Sequence, residues 1–391
     1  MASQSREDKA VPAAPRAPTA APGEEASEAA DRAEHRLPRF RVTAGRFGGI
    51  DGVMLSDVAD GAHVILALRG ATLLDWCVPF GGGMLSLTDG YCSRIELYRQ
   101  DGVRNGLMAP FPNRIAAGRY HFEHRDHDLL PAVEEGKRLI YHGFLRELDL
   151  ELGGARERDD GAQVLFVSDA IQPGVFPGYP FALALHVLVR FGLDGLSLAV
   201  TATNLGHVTA PYAAGWHPYF RFGEDSIDHL ELQVPASQAI LTDADLLPLP
   251  GEAAYVPIAR RPDLDFRGGR ALGGGAVDAC LGALAADADG LIRSRLRDPV
   301  RGCGLVVWQQ GGLVHLFTGD TLARDARRSL AIEPVEVMTD AFNRADCQAA
   351  ISLPPGASRS FRCGAQFVPA MQPLAAPGGL AGAAAAQGWR R

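Results

Sequence analysis

The chain has 391 residues, 47% of them hydrophobic, and a formal net charge of −8 at pH 7. This is enough apolar material for a large core, and all-β domains of such length occur as single units. The negative charge, with no basic stripe to displace phosphate counterions, argues against nucleic acid as a partner. No apolar run approaches the roughly 20 residues of a membrane-spanning helix, so no membrane partner is expected.

The two ends of the chain differ in composition from its middle. Residues 1–36 are rich in Ala, Pro and Glu and contain no aromatic residue, and residues 371–391 are rich in Ala and Gly. Such segments cannot bury enough surface to offset ordering entropy, so we predict a disordered arm and a disordered tail. The N-terminus lacks the regions of a secretory signal, and the six cysteines are scattered. Both features predict a cytoplasmic protein with reduced thiols.

The middle of the chain, residues 37–370, is predicted to form one all-β domain. Short apolar or alternating runs, most of them bounded by Gly, Pro, Asn or Asp, predict strands at residues 64–68, 183–189, 196–203 and 304–308. Turn residues at 192–195 predict a hairpin between two of them. No segment shows sustained helical periodicity. The fold class predicted is a large antiparallel β-sandwich.

Two polar motifs in the first half have side chains suited to sugar hydroxyls. Asn113 and Arg114 place an amide beside a planar five-donor cation, although an arginine there could equally tie down a loop. His142 precedes Gly143, which permits a close backbone approach. The densest histidine cluster, in residues 121–128, is predicted to be the solvated tip of a hairpin. No ligand with suitable spacing accompanies it, so no metal site is predicted.

His217 lies in an aromatic segment. Gly215 and Pro218 predict a bend, and Trp216 and Tyr219 supply apolar surface. Since a pyranose has an apolar face of C–H groups and a polar rim, rings beside a polar group suit a sugar pocket. The alternative is a histidine satisfied within the core.

Two acids complete the set of candidate residues. Glu333 ends an apolar run and precedes Pro334, which cannot donate a ladder hydrogen bond. The strand is therefore predicted to stop there and leave Glu333 at a sheet edge, facing solvent or acting as a general base in a cleft. Asp265 is either an acceptor for a sugar hydroxyl or a turn acid paired with Arg267.

Taken in order over residues 40–367, these segments resemble the aldose 1-epimerase, or galactose mutarotase, family. The matching segments are residues 69–76, Asn113-Arg114-Ile115, His142-Gly143, residues 178–181, residues 215–220, Asp265-Phe266 and residues 353–356. The loop after Glu333 is closer to a bacterial sub-branch than to the Glu-Thr-Gln form of characterised galactose mutarotases, which leaves the preferred sugar open.

The resemblance implies a β-sandwich of the galactose mutarotase type, no metal and no organic cofactor. It implies that an ionised Glu333 is the general base and a protonated His217 the general acid. The residues that it implies for sugar binding are Asn113, Arg114, His142, Tyr219 and Asp265.

The activity implied is interconversion of the α and β anomers of a free aldose such as galactose or glucose, by a monomer or homodimer with a small-molecule sugar as partner. Two alternatives remain open. A hexose-6-phosphate epimerase would need extra cations, and a non-catalytic sugar-binding protein on the same fold would be expected to lack the acid or the base.

Overall fold

The computed structural model describes residues 37–374, and the compact unit begins at Arg39. The predicted arm and residues 375–391 of the predicted tail lie outside the described residues. The packed chain continues past the predicted boundary at 370, because Met371 N–H donates to Gly302 O (2.9 Å) and its carbonyl accepts from Arg297 Nε (3.0 Å). Across residues 37–374, no helix has the length and apolar character to cross a membrane.

Strands are the main regular secondary structure of the described chain. Those of the first half are β1 Phe40–Phe47, β2 Ile50–Asp57, β3 His63–Ala67, β4 Leu73–Phe80, β5 Gly83–Ser86, β6 Leu107–Met108, β7 Arg119–Phe122, β8 Arg125–Asp128, β9 Glu151–Glu157, β10 Gly161–Ile171, β11 Leu183–Gly192 and β12 Gly195–Asn204. Those of the second half are β13 Ala210–Pro211, β14 Gly215–Trp216, β15 Tyr219–Phe220, β16 Glu231–Gln233, β17 Ala236–Ile240, β18 Tyr255–Pro257, β19 Arg270–Ala271, β20 Asp278–Leu284, β21 Ile292–Asp298, β22 Cys303–Gln309, β23 Leu313–Phe317, β24 Leu330–Val335, β25 Ser352–Leu353 and β26 Ser358–Val368.

Helical segments are short. They are the α-helices α1 Arg94–Arg99 and α2 Gln348–Ile351, and the 3₁₀ turns Asp101–Val103, Ala116–Gly118, Glu135–Lys137, Leu145–Glu147, Ile227–His229, Gly251–Ala254, Ile258–Arg260, Ala341–Asn343 and Ala345–Cys347. Ser93 caps the N-terminus of helix α1, since its hydroxyl accepts from Glu96 N–H (3.2 Å). At six residues it is too short for its periodicity to appear in the sequence.

The strands form two large antiparallel sheets and smaller ones. The order is β19-β16-β21-β22-β26-β12-β11-β10-β9 in the nine-stranded sheet and β18-β17-β20-β23-β24-β14-β6 in the eight-stranded sheet, where β15 also pairs with β24. A five-stranded sheet, β1 to β5, and two-stranded pairs add to these. The predicted hairpin is confirmed, since Gly192 pairs with Gly195 at the turn between β11 and β12. The all-β, sandwich class predicted from the sequence is confirmed.

One apolar core includes inward side chains from both large sheets. Along β12, buried Leu196, Leu198 and Val200 alternate with more exposed residues, which is the period-two pattern of a strand covered on one face. From the eight-stranded sheet, Leu316 and Ile332 belong to the same core. The residues next to them, on the opposite face of that sheet, are therefore free to line a site.

The predicted end of the strand at Glu333 is wrong. Strand β24 continues through Pro334 to Val335 and lies between β23 and β14 in the interior of its sheet. The ladder tolerates Pro334 because Ile332 N–H donates to Pro218 O (3.3 Å) and Glu336 N–H donates to Ala214 O (2.9 Å) on the same side. The missing donor leaves one gap between two intact bonds. Glu333 is thus a central residue rather than a rim residue.

Candidate active site

A cavity of about 480 Å³ lies against the face of the eight-stranded sheet that points away from the core. This volume is in the range of small-molecule sites. Six of the seven residues predicted from the sequence line it, and Asp265 does not; the six are Asn113, Arg114, His142, His217, Tyr219 and Glu333. The fold therefore brings together residues that are up to 220 positions apart in the sequence.

Glu333 lies in a row of side chains that crosses the sheet. Cys280 of β20 pairs with His315 of β23, and His315 pairs with Glu333 of β24. On the other side of Glu333, His217 Nε2 lies 3.2 Å from its Oε1. Directly opposed residues in antiparallel strands share one face, so the carboxyl group has an imidazole on each side. Glu333 is 1% exposed and His217 6%, which leaves water little access to either group.

Burial favours the neutral form of both members of the Glu333–His217 pair. Desolvation raises the pKa of Glu333 to about 8, although the charge of His315 opposes this. Desolvation, followed by the charge of His315, lowers the pKa of His217 to about 3. The contact is therefore between a carboxylic acid and an imidazole, whereas the resemblance implies a carboxylate and an imidazolium. Among the described residues, Glu333 Oε2 and His217 Nδ1 have no hydrogen-bond partner.

His315 and Asp278 line the cavity but were not predicted from the sequence. His315 Nε2 lies 2.7 Å from Asp278 Oδ1. Burial opposes protonation of His315, but Glu333 in its ionised form and the bond to Asp278 outweigh it and raise its pKa well above the usual value. Burial likewise opposes ionisation of Asp278, yet the bond to His315 lowers its pKa. The two form an ion pair. The sequence feature that could have revealed His315 is a polar residue within an otherwise apolar strand, at residues 313–317.

The wall formed by Asn113 and His142 is held by two reciprocal bonds. His142 N–H donates to Asn113 O (2.9 Å), and Asn113 N–H donates to His142 Nδ1 (3.2 Å). Burial lowers the pKa of His142 well below its usual value, and protonation of His217 would lower it further. With Nδ1 accepting, the neutral ring carries its proton on Nε2 and can donate there. Arg114 lies beside it and donates to Asn113 Oδ1 (3.3 Å).

Tyr219 contributes a ring face rather than a free hydroxyl. Its ring stacks on His217, with centroids 4.9 Å apart and an angle of 26° between the planes. Its hydroxyl donates to Gly102 O (2.9 Å). An aromatic face beside polar groups is the surface that the C–H face of a sugar needs.

Asp265 is placed outside the cavity, so its sequence-based assignment to sugar binding is corrected. Its two carboxylate oxygens accept from Arg267 Nε (2.9 Å) and from an Arg267 terminal nitrogen (2.7 Å). This is the turn acid that the sequence left as the alternative reading. Because Arg267 is only two residues away, its side chain folds back onto the Asp265 carboxylate. It donates a hydrogen bond to each of the two carboxylate oxygens.

The polar hairpin at residues 119–128 is confirmed as strands β7 and β8. At its tip, the exposed His121 and Asp126 form a pair at 2.8 Å. Within residues 37–374, its histidines do not come together as a group of three potential ligands for one ion. Glu336, directly after β24, accepts from Ala214 N–H (2.7 Å), directly before β14, so this acid joins two neighbouring segments.

A family model described as Aldose 1-epimerase matches residues 54–366. The chain therefore belongs to the aldose 1-epimerase family. Two relatives are proteins of Escherichia coli K12 that are described as uncharacterized. YihR is 26% identical over 271 residues, which cover 68% of this chain and 82% of YihR. YphB is 29% identical over 114 residues, which cover 29% of this chain and 35% of YphB.

Solved structures share the fold at low identity. A GalM/aldose epimerase homologue from C. elegans has a TM-score of 0.68 and 18% identity, with 80% of this chain and 97% of that chain covered. Galactose 1-epimerase from Lactobacillus acidophilus has a TM-score of 0.69 and 16% identity, with 85% and 99% covered. The fold is thus a β-sandwich of the galactose mutarotase type.

Gly143 is expected to be irreplaceable because it holds His142 in place. Its φ is +64°, and an added Cβ would lie 2.1 Å from Ala109 O. Gly143→Ala should lower the free energy of unfolding by about 2 kcal/mol or more, from left-handed strain plus displacement of the backbone. The measurement is urea denaturation. Gly136→Ala is the matched control, since its Cβ would meet nothing within 4 Å. Equal stability of the two variants would contradict the expectation.

Proposed function

We propose that this protein is an aldose 1-epimerase that interconverts the α and β anomers of a free aldose such as galactose or glucose. The observation that carries the proposal is the Glu333–His217 pair, 3.2 Å apart and buried in a cavity of sugar size. Membership of the family supports the reaction class. Among the described residues, Glu333 Oε2 and His217 Nδ1 are buried without a hydrogen-bond partner, so the pair has unused hydrogen-bonding capacity.

The pair holds one proton, which is what ring opening needs. Transfer of that proton from Glu333 to His217 converts the neutral pair into a carboxylate and an imidazolium. The carboxylate then takes the proton of the C1 hydroxyl while the imidazolium protonates the ring oxygen, and the C1–O5 bond breaks to give the aldehyde. Rotation about C1–C2 and closure with the roles reversed gives the other anomer. Protons balance, and the pair returns to its starting state.

The remaining cavity residues supply binding groups for hydroxyls. Asp278 keeps Oδ2 available, because the bond to His315 uses Oδ1. His142 offers a neutral N–H, and Arg114 offers a cation with several donors. Asp278 therefore takes the acceptor role in this proposal that the resemblance suggested for Asp265.

Charge at the cavity favours a free sugar over a phosphosugar. Arg104 and Arg324 line one wall, but both pair with the buried Asp89, and Arg324 also pairs with Glu96. A phosphate group binds best to cations whose donors are not already used. Phosphosugar epimerisation is therefore the second candidate, tested by comparing glucose with glucose 6-phosphate.

Glu333→Gln should keep the fold and sugar binding but lower kcat/KM by about 10²- to 10⁴-fold, because an amide cannot accept the hydroxyl proton. Polarimetry of freshly dissolved α-D-galactose and α-D-glucose measures the rate above the spontaneous one. The exposed Glu252→Gln is the matched control and should behave as wild type. Undiminished mutarotation in Glu333→Gln would refute the proposed base, and a wild-type protein that binds sugar without catalysis would support the non-catalytic alternative.

The pH dependence should follow from the two displaced pKa values. The raised pKa of Glu333 means that the pair loses its single proton only above about 8, and the lowered pKa of His217 means that it gains a second proton only near 3. kcat/KM should therefore be level through neutrality and fall as pH rises through about 8. The two values belong to the pair as a unit. A basic limb at the ordinary imidazole pKa would contradict this expectation.

Asp278→Asn and Asp265→Asn make the same chemical change at two positions, only one of which lines the cavity. Asp278→Asn should raise KM and lower kcat/KM by about tenfold or more, since a charged hydrogen-bond partner is worth about 1.5–3 kcal/mol. Asp265→Asn should leave both constants near wild type. Initial-rate polarimetry over a range of sugar concentrations separates KM from kcat. The reverse result would restore the assignment of Asp265 made from the sequence.

A further inference from the structure

We propose that His315, clamped by Asp278, is a positioning residue that acts as a fixed cation and sets where the shared proton of Glu333 and His217 resides. This inference rests on the proposed function and extends it to the control of the catalytic pair. His315 is a strand neighbour of Glu333, and Asp278 Oδ1 lies 2.7 Å from its Nε2.

The arrangement leaves His315 no route to act as the acid itself. Its Nε2 is used by Asp278, and its side chain is also hydrogen-bonded to Cys280, its strand neighbour on β20. His315 is 9% exposed. A ring held in this way can act on its neighbour through charge. Its partner across the strand pair is Glu333, and Cβ atoms of directly opposed residues lie about 4.5–5.5 Å apart.

The position of the cation makes its effect directional. His315 lies on one side of Glu333, and His217 lies on the other, 3.2 Å from the carboxyl oxygen. A positive charge beside Glu333 stabilises the carboxylate more than it destabilises the more distant imidazolium. It therefore favours the ion-paired form that ring opening requires. Its charge lowers the pKa of Glu333 against the larger effect of burial.

Other charged or titratable groups face this pair and act in both directions. Arg114 also lowers the pKa of Glu333, while Asp278 raises it. His142, whose ring centroid is 5.1 Å from that of His217, is neutral, because burial lowers its pKa. Tyr219 stacks on His217 from the remaining side. His315 is bonded to the carboxylate of Asp278 and is also the strand neighbour of Glu333. It is therefore the residue to substitute in a test of the proposal.

The test replaces His315 by glutamine, which can still donate to Asp278 but carries no charge. An opposite charge at about 4–6 Å shifts a carboxyl pKa by about 1–3 units. In His315→Gln the pKa of Glu333, followed by ¹³C NMR of labelled glutamate side chains and assigned with Glu333→Gln, should therefore rise by about 1–3 units. The basic limb of kcat/KM should move upward with it, and kcat on the plateau should fall severalfold.

A purely structural role would lower the rate at all pH values and leave the limb in place, so an unmoved Glu333 pKa in His315→Gln overturns the proposal. His186→Gln, on the exposed face of β11, is the matched control and should change neither quantity. Should His315→Gln fail to fold, ¹⁵N shifts of the wild-type histidines decide. His315 should carry two protons at neutral pH while His217 and His142 carry one, and a neutral His315 would refute the proposal.

The NMR measurements do not depend on turnover. Absence of mutarotation by the wild-type protein would refute the proposed function, while the Glu333 titration in wild type and His315→Gln would still decide whether His315 acts as the fixed cation. The two failures are therefore distinguishable.

Discussion

The site depends on one constraint, a carboxyl group buried on an interior strand with an imidazole on each side. Glu333 is 1% exposed, and such a group is neutral unless neighbouring charges compensate for the water that it has lost. The flanking residues differ in kind. His217 is itself desolvated and uncharged, whereas His315 has a carboxylate partner and carries charge. The carboxyl group thus lies between a proton acceptor and a fixed cation.

This constraint explains the irregular backbone around strand β24. A regular neighbouring strand would continue the ladder past Glu333, but here β14 ends at Trp216 and β15 begins at Tyr219. His217 lies in the interruption between them and reaches the carboxyl group. Pro334 falls at the matching gap, since it has no N–H to leave unpaired. Pro334 and the break between β14 and β15 therefore complement each other. Together they leave room for the His217 side chain in the middle of the sheet.

Much of the fold and most of the site could be predicted from the sequence, for different reasons. The hairpin at residues 192–195 follows from local turn chemistry and strand length. The cavity residues were found because aromatic, imidazole and amide groups occur together in short motifs, such as residues 215–220. Sequence reasoning failed where the deciding contact is not local. Pro334 was read as a strand end because the bonds at Ile332 and Glu336 that carry the strand past it involve residues more than a hundred positions away.

Asp265 and Asp278 show the same limit. Asp265 lies between Asp263 and Arg267, so a local ion pair was one of its two interpretations, but nothing local decided between them. Asp278 lies in an apolar segment and pairs with a histidine 37 residues away, which no local feature indicates. The difference decides the chemistry. The pairing of Asp265 with Arg267 uses both carboxylate oxygens outside the cavity, whereas the pairing of Asp278 with His315 uses one.

Most of the charged groups around the cavity are paired with a group of opposite charge. Asp278 and His315 cancel, Glu333 and His217 share one proton, and Arg104 and Arg324 are matched by Asp89 and Glu96. Arg114 is the cavity cation without such a carboxylate partner among the described residues, so the site has little further positive charge to offer an anionic substituent. It instead presents single donors and acceptors in a space with restricted water. Those are the requirements of a neutral polyol that must be held while one proton enters and another leaves. The electroneutrality that makes burial of Glu333 tolerable is thus also what suits the site to an uncharged sugar.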